Sequence, residues 1–302
     1  MNRGVISIGT NSTRALVAAL NGTTQVLLAR SIGTRIGEGL KERGRLEVEP
    51  MRRTLDAVRE HIDAVRELTG DVCAIATSAL RRADNGELFA SRVQEIVGAP
   101  LEIISGEEEA RRSFIGAVSA IDTNLQATFG VLDVGGGSAE YAAGNKQHVS
   151  QIVSCEIGAV RLTEAVPELA GTRGPIDDAA IARACEIAHE STEPIAQFPS
   201  VDRAVLVGGS ATTAIAVQRG NREMFDYAEM SRAKLRDLIG LLRASNLQAR
   251  KALPGMNPQR ADILLGGLLI IDVVLERTQH EQALVSTNDL LLGTLLLSRR
   301  RA

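Results

Sequence analysis

The sequence predicts an α/β protein built from two halves of the same βββαβαβα order, facing each other across a cleft. Three observations predict it. The chain has 302 residues, enough for two domains at about 150 residues each. Aliphatic runs bounded by Gly and Asn alternate with stretches of helical spacing. Finally, Ser7-Ile8-Gly9-Thr10-Asn11-Ser12 lies over Asp133-Val134-Gly135-Gly136-Gly137-Ser138, each a strand end followed by a glycine turn that finishes in Ser. Self-similarity at half the chain length marks a duplicated supersecondary unit, since solenoid repeats are far shorter.

The elements follow in order. Residues 5–8 and 15–20 read as strands, and Asn21-Gly22 supplies the turn to a third at 25–30. After a glycine-rich loop at 33–39, Pro50 opens an amphipathic helix to about residue 68, with Leu55, Val58, Ile62 and Val65 at helical spacing. A strand at 71–76, a helix at 87–97, a strand at 101–104 and a helix at 107–120 complete the first half. The second half begins with strands at 129–133, 139–143 and 148–154, joined by the glycine loop 134–138 and a turn at Asn145-Lys146. A helix at 177–197, a strand at 203–207, the turn Gly208-Gly209-Ser210 into a helix, helices at 231–243 and 258–276, a strand at 283–286 and a last helix after Asn288 finish it. Two such halves are the ribonuclease H-like, actin-like architecture, with domains expected at 1–122 and 123–302 and the last helix free to pack back on the first.

Composition excludes several functions. Hydrophobic residues make up 44% and charged residues 24%, too aliphatic for a disordered chain. Aromatics are only 2%, without Trp, which disfavours a stacking platform for single-stranded nucleic acid. A net charge of -3 gives no basic field for DNA or an acidic membrane. Cations are skewed to Arg, whose planar fork suits phosphate, although compositional bias produces the same skew. Cys73, Cys155 and Cys185 form no C-x-x-C pair, and the four His residues show no metal spacing. The N-terminus enters a strand pattern directly, and the longest apolar run stops at Asp272, short of the roughly 20 residues a membrane helix needs. The expectation is a soluble cytoplasmic protein, with no nucleic-acid or membrane partner and a homodimer left open.

Chemistry concentrates in three Gly/Ser turns after strands: Gly9-Thr10-Asn11-Ser12, Gly135-Gly136-Gly137-Ser138 and Gly208-Gly209-Ser210. Glycine lets successive N-H groups converge on an anion while hydroxyls add donors. Two such turns at equivalent points of a duplicated unit read as phosphate loops; plain tight turns are the competing reading. Asp133 ends its strand before one loop and Glu140 lies on the returning strand, so both reach the loop mouth, where Mg2+ or another divalent cation bridges carboxylates to phosphate oxygens. An exposed strand position is the alternative for Glu140. Glu107, Glu108 and Glu109 open a helix, where acids are favoured by the helix dipole alone; one of them aimed into a cleft would orient a water for in-line attack. Arg81 or Arg82, ending a turn rich in hydroxyls, would stabilise a transferring phosphoryl group, unless both are solvated.

These segments resemble the Ppx/GppA phosphatases, the exopolyphosphatase and guanosine pentaphosphate phosphohydrolase group of the actin-like superfamily. The likeness runs through GTNSTR (9–14), RIGEGL (35–40), ATSALR (76–81), EIISGEEEAR (102–111), LDVGGGSAE (132–140), VGGSATT (207–213) and PGMNPQRADILLGG (254–267). It implies that Glu109 is the general base, that Asp133 and Glu140 serve the metal, that Arg81 contacts phosphate, and that the Gly/Ser loops cradle the end of the substrate.

Two departures stand out. Ser7 occupies the place of the family's Asp, and it also lies over Asp133 in the internal comparison, so one wall of the site loses a charge. Metal affinity is then weaker, or Asp133 and Glu140 carry the metal alone. STNDLLLG (286–293) replaces the family's S-D-G-x-[LV]-R-E-G, without its acid, glycine and arginine. The expected activity is metal-assisted removal of the terminal phosphate of inorganic polyphosphate. The alternatives are guanosine pentaphosphate as substrate, a catalytically weak polyphosphate or nucleotide sensor, and, less favoured, an actin-like kinase.

Overall fold

The computed structural model describes residues 1–21, 23–121, 124–223 and 225–298. The first stretch of chain forms β1 (Asn2–Ile8), β2 (Ser12–Asn21), β3 (Thr23–Gly33), α1 (Leu40–Arg43), α2 (Val48–Arg66), β4 (Val72–Ala76), α3 (Ser78–Arg82), α4 (Gly86–Val97), β5 (Leu101–Ile103) and α5 (Gly106–Val118). Then come β6 (Thr128–Val134), β7 (Ala139–Asn145), β8 (Val149–Cys155), α6 (Ala159–Ala165), α7 (Asp178–Ser191), β9 (Arg203–Val207) and α8 (Gly208–Arg219). The chain finishes with β10 (Tyr227–Ser231), α9 (Arg232–Ala244), α10 (Leu247–Ala252), α11 (Leu264–Arg277), β11 (Gln282–Ser286) and α12 (Leu290–Ser298).

Contacts divide the chain into two compact units, Met1–Arg112 together with α12, and Ser113–Asp289. The boundary expected between residues 122 and 123 falls outside the described residues, as does Gly22 of the expected first turn.

The first unit holds a five-stranded sheet in the order β3-β2-β1-β4-β5. β1, β2 and β3 pair antiparallel, while β4 and β5 run parallel to β1. Val5, Ile6, Ile75 and Ile8 are all fully buried, because helices cover both faces of the central strands, and this is why those strands read as unbroken apolar runs. Ile6, Ile8, Ala74 and Ala76 pack with Val58 and Ile62 of α2, Leu80 of α3 and Phe89 of α4. On the opposite face, Val5, Ala18 and Ile75 pack with Leu290, Leu291, Leu292 and Leu295 of α12.

The second unit repeats the plan. Its sheet runs β10-β11-β9-β6-β7-β8, so β8-β7-β6-β9-β11 retraces β3-β2-β1-β4-β5. The same antiparallel and parallel pairings recur in the same places. The added strand β10 pairs antiparallel with β11 at the edge. Its sequence, Tyr-Ala-Glu-Met-Ser, lacks the β-branched and aromatic run that announces a strand, and it is absent from the elements expected on sequence.

Other differences have local causes. The helix expected at 177–197 ends at Ser191 and gives way to a 3-10 turn at Glu193–Gln197, because Pro194 has no N-H to continue an α-helix. The helix expected from 258 starts at Leu264; the amides of Arg260 and Ile263 first close tight turns onto Asn257 and Arg260. Gly208, Gly209 and Ser210 form the opening turn of α8 itself. The short helices α3, α6 and α10 span too few residues to show a periodic stripe.

Candidate functional site

In the first unit, β1 ends at Ile8 and the loop Gly9–Ser12 turns directly into β2, closed by a bond from the Gly9 amide to the Ser12 carbonyl at 3.0 Å. The loop's other carbonyls are drawn onto the next glycine-rich segment. The Gly37 amide donates to the Thr10 carbonyl (3.1 Å), and the amides of Thr34 and Arg35 donate to that of Asn11 (3.1 and 3.0 Å). With those two carbonyls engaged and the Gly9 amide closing the turn, the amides of Thr10 and Asn11 stand at its tip, a geometry in which successive N-H groups can converge on an anion. The fit is close: a Cβ on Gly37 would stand 2.5 Å from the Thr10 methyl. Arg35 takes a left-handed φ of 49° to deliver its amide, a strained conformation for a residue with a Cβ.

Arg81 and Glu109 also belong to this unit. Arg81 ends α3, directly beyond β4, and Glu109 sits in the first turn of α5, beyond β5. Nη1 of Arg81 donates to Oε2 of Glu109 at 3.2 Å and to the Ile104 carbonyl at 2.7 Å. The three acids of that turn separate cleanly. Glu107 is exposed, and its carboxyl is held below its ordinary value by its own backbone amide, by Ser105 and, after a small opposing effect of burial, by Arg81. Glu108 bonds Arg112 at 2.7 Å. Glu109 alone is buried, 7% exposed. Arg82 differs from its neighbour, donating Nε to the Ser78 carbonyl one turn back.

The second unit carries the matching loop. The Gly135 amide bonds the Ser138 carbonyl at 3.0 Å, as Gly9 bonds Ser12. Here the loop carbonyls are taken by the first turn of α6: Ala159 donates to Gly135 (2.9 Å), and Val160 and Arg161 donate to Gly136 (3.0 and 3.2 Å). Gly158 makes this approach possible, since a Cβ there would lie 2.5 Å from the Gly136 backbone.

Asp133 and Glu140 face each other across the β6–β7 pair and are 9% and 1% exposed. Glu140 is therefore a buried residue and not an exposed strand position. Ser113 donates its hydroxyl to Oδ2 of Asp133 at 2.7 Å, and Ser154 donates to Oε1 of Glu140 at 2.8 Å. Oδ1 of Asp133 lies where a Cβ on Gly208 would come within 2.6 Å, at a φ of 86°, so Gly208 makes room for the carboxylate. Cys155, beside Ala139 on β8, is a packing residue: burial, with some help from Glu140, pushes its thiol up to about 11. Gly209 and Ser210 lie in the N-terminal turn of α8, whose first amides have no partner within the helix.

Among the described residues no cluster of three or more His, Cys, Asp or Glu could enclose a metal ion. A pair of carboxylates nevertheless suits Mg2+, which keeps several waters and is completed by substrate phosphates. Asp133 and Glu140, two oxygen donors beside a phosphate-type loop, fit that chemistry.

Sequence reasoning missed three contributors. Ser113 and Ser154 hold the two carboxylates, and serines on separate elements carry no local signal. Arg260 lies in the segment PGMNPQRADILLGG, but the pattern does not reveal that its guanidinium covers Gly209; a Cβ on Gly209 would fall 2.0 Å from the Arg260 Cζ.

The sequence model of the Ppx/GppA phosphatase family matches residues 16–296. Exopolyphosphatase 2 of Mycobacterium tuberculosis is 31% identical over 96% of this chain and 96% of that protein. The bifunctional 3-dehydroquinate synthase/phosphatase of Fusobacterium nucleatum is 28% identical over 97% of this chain, which spans only 46% of that longer protein. Among solved structures, an exopolyphosphatase from Cytophaga hutchinsonii superposes with a TM-score of 0.89 at 25% identity, covering 100% of this chain and 99% of that one. With a family match over most of its length and a near full-length relative above 30% identity, the chain belongs to the Ppx/GppA phosphatase family.

Proposed function

We propose that the protein is an exopolyphosphatase that hydrolyses the terminal phosphoanhydride of inorganic polyphosphate and releases phosphate. The observation that carries the reading is the buried Glu109 carboxylate held by Arg81 at 3.2 Å, in a unit that also carries a glycine loop with its carbonyls engaged. Relatives that bear the exopolyphosphatase name match over nearly their whole length.

Glu109 orients the attacking water and accepts its proton. The bond to Arg81 fixes where the carboxylate points, which suits phosphoryl transfer: the transition state is loose, and positioning matters more than basicity. Arg81 makes both of its bonds from Nη1, leaving Nε and Nη2 to meet phosphoryl oxygens as charge builds on them. In the first unit the amides of Thr10 and Asn11 with the hydroxyls of Thr10 and Ser12, and in the second unit the amides of Gly136 and Gly137, the α8 N-terminus and the hydroxyls of Ser138 and Ser210, are the groups suited to phosphate oxygens. Asp133 and Glu140 would hold a divalent cation, which when bound neutralises charge on those oxygens. A cytoplasmic setting belongs to this reading: no described helix is long and apolar enough to cross a membrane, and the three cysteines are all free thiols.

The test is phosphate release from long-chain polyphosphate, guanosine pentaphosphate and ATP in parallel, with and without Mg2+. Polyphosphate is expected to be the preferred substrate. Glu109→Gln is expected to bind polyphosphate as the wild type does and to lose roughly 10² to 10⁴-fold in turnover. Turnover at the wild-type rate by Glu109→Gln would overturn the assignment.

A further inference from the structure

We propose that the glycine loop of the first unit is an anion site that works without a divalent cation, with Ser7 and Arg14 as the side chains that make it so. The proposal rests on the phosphohydrolase reading and assigns different chemistry to its two loops.

The duplication supplies the comparison. In the second unit the hairpin around Gly135–Ser138 pairs Asp133 with Glu140. In the first unit the hairpin around Gly9–Ser12 pairs Ser7 with Arg14 at the corresponding register. Directly opposed residues of an antiparallel pair project side by side from one face. Each loop is thus flanked by two adjacent side chains of the same origin, two carboxylates in one case and a hydroxyl with a guanidinium in the other. Two carboxylates repel a phosphate unless a cation intervenes; a serine hydroxyl and an arginine fork bond it directly. Arg14 is half-buried and carries five N-H donors in a planar fork, the geometry that matches phosphate oxygens.

A second observation points to the same ligand. Asn11, in the loop, is 5% exposed, and Ser78 is 2% exposed. Asn11 Oδ1 and Ser78 Oγ are both buried without a hydrogen-bond partner. Ser78 begins α3 immediately after Thr77, whose amide bonds the Ile8 carbonyl at the end of β1 at 3.2 Å, so both orphans sit at the carboxyl ends of β1 and β4. Ligands of open α/β sheets bind at that end. Buried polar atoms left unpaired are costly. A half-turn of the Asn11 amide presents its NH2 group, and the Ser78 hydroxyl can rotate to donate, so each has a donor to offer an anion at that end of the sheet.

The experiment is calorimetric titration of inorganic tripolyphosphate into the full-length protein in EDTA. The wild type is expected to bind. Arg14→Gln and Ser7→Asp are each expected to weaken that binding by about tenfold or more, the worth of a charge-assisted hydrogen bond, with Arg14→Lys recovering part of it. Asp133→Asn is expected to bind tripolyphosphate in EDTA like the wild type while binding Mn2+, followed by electron paramagnetic resonance, more weakly. Thermal melts establish that each variant is folded, and Arg14→Gln carries the test if Ser7→Asp is not. No binding by the wild type in EDTA, or unchanged binding by folded Arg14→Gln, overturns the proposal. Phosphate release with Mg2+ is measured on the same wild-type preparation. Release without cation-free binding overturns this proposal alone; cation-free binding without release overturns the hydrolase reading alone.

Discussion

Glu107, Glu108 and Glu109 are chemically identical neighbours with three different fates, and position on a helical turn decides among them. Glu107 looks to solvent, Glu108 reaches one turn along α5 to Arg112, and Glu109 is turned inward onto Arg81. Sequence physics shows the cluster but not which member is buried, because that depends on α3, which precedes α5 by more than twenty residues. The family resemblance implies Glu109, and the same residue is the one the fold buries. Arg81 and Arg82 divide in the same way, one bonded to Glu109 and the other to its own helix. Arg81→Lys tests the proposed use of the guanidinium fork. Lysine keeps the charge but offers no planar pair of donors. We expect kcat to fall by roughly 10²-fold, the cost of losing one donor to a transition-state oxygen, with a melting temperature near that of wild type. A variant with wild-type kcat would remove Arg81 from the mechanism.

At the scale of elements, each phosphate-type loop is shaped by a segment that follows it, loop 34–37 in one unit and the start of α6 in the other. The glycine turns were legible in the sequence, since Gly and Ser recur there at matching positions. Their anchors were not, because a backbone amide donating to a distant carbonyl is independent of side-chain identity; only Gly37 and Gly158 mark the close approach. His61 is a further brace of this kind. It lies fully buried on α2, and its Nε2 bonds the Thr13 carbonyl at 3.0 Å just beyond the first loop, while Nδ1 has no partner. Burial lowers the pKa of His61 below its ordinary value; the bond to Thr13 and the nearby Glu60 oppose this, and Arg30 adds to it. The native ring therefore stays neutral while the unfolded chain takes up a proton as pH drops below about 6.5. His61 costs nothing above that pH, and stability falls progressively between it and the depressed native value. His61→Gln, which keeps a donor for Thr13 and cannot titrate, is expected to lose less stability than the wild type between pH 7.5 and 5.5 in urea unfolding. Equal losses would show that His61 does not set this dependence.

Across the whole molecule, the repeat foresaw two sheets of like order, and contacts divide the chain in a way that composition does not mark. The first unit is discontinuous. Its β1 begins at the second residue, and the helix covering one face of that strand, α12, comes from the other end of the chain. Leu290, Leu291, Leu292 and Leu295 bury themselves against Val5, Ala18 and Ile75. The approach is close enough that a Cβ on Gly293 would meet the Arg112 carbonyl at 1.8 Å, and Ser298 accepts a bond from Arg3 at 2.8 Å. The departure of STNDLLLG from the family pattern therefore has a packing consequence: its leucines complete a core. Contacts between segments so far apart in sequence must meet a loop-closure entropy before packing rewards them. Leu295 is fully buried in this cluster, so Leu295→Ala is expected to cost about 2 to 5 kcal/mol. Native-state hydrogen exchange locates the loss. The amides of β1, β2 and β4 are expected to exchange faster in the variant, while those of β6 and β9, whose core is made from residues of the second unit, keep their protection. Unchanged exchange in β1 would show that α12 is not what holds that face of the first sheet.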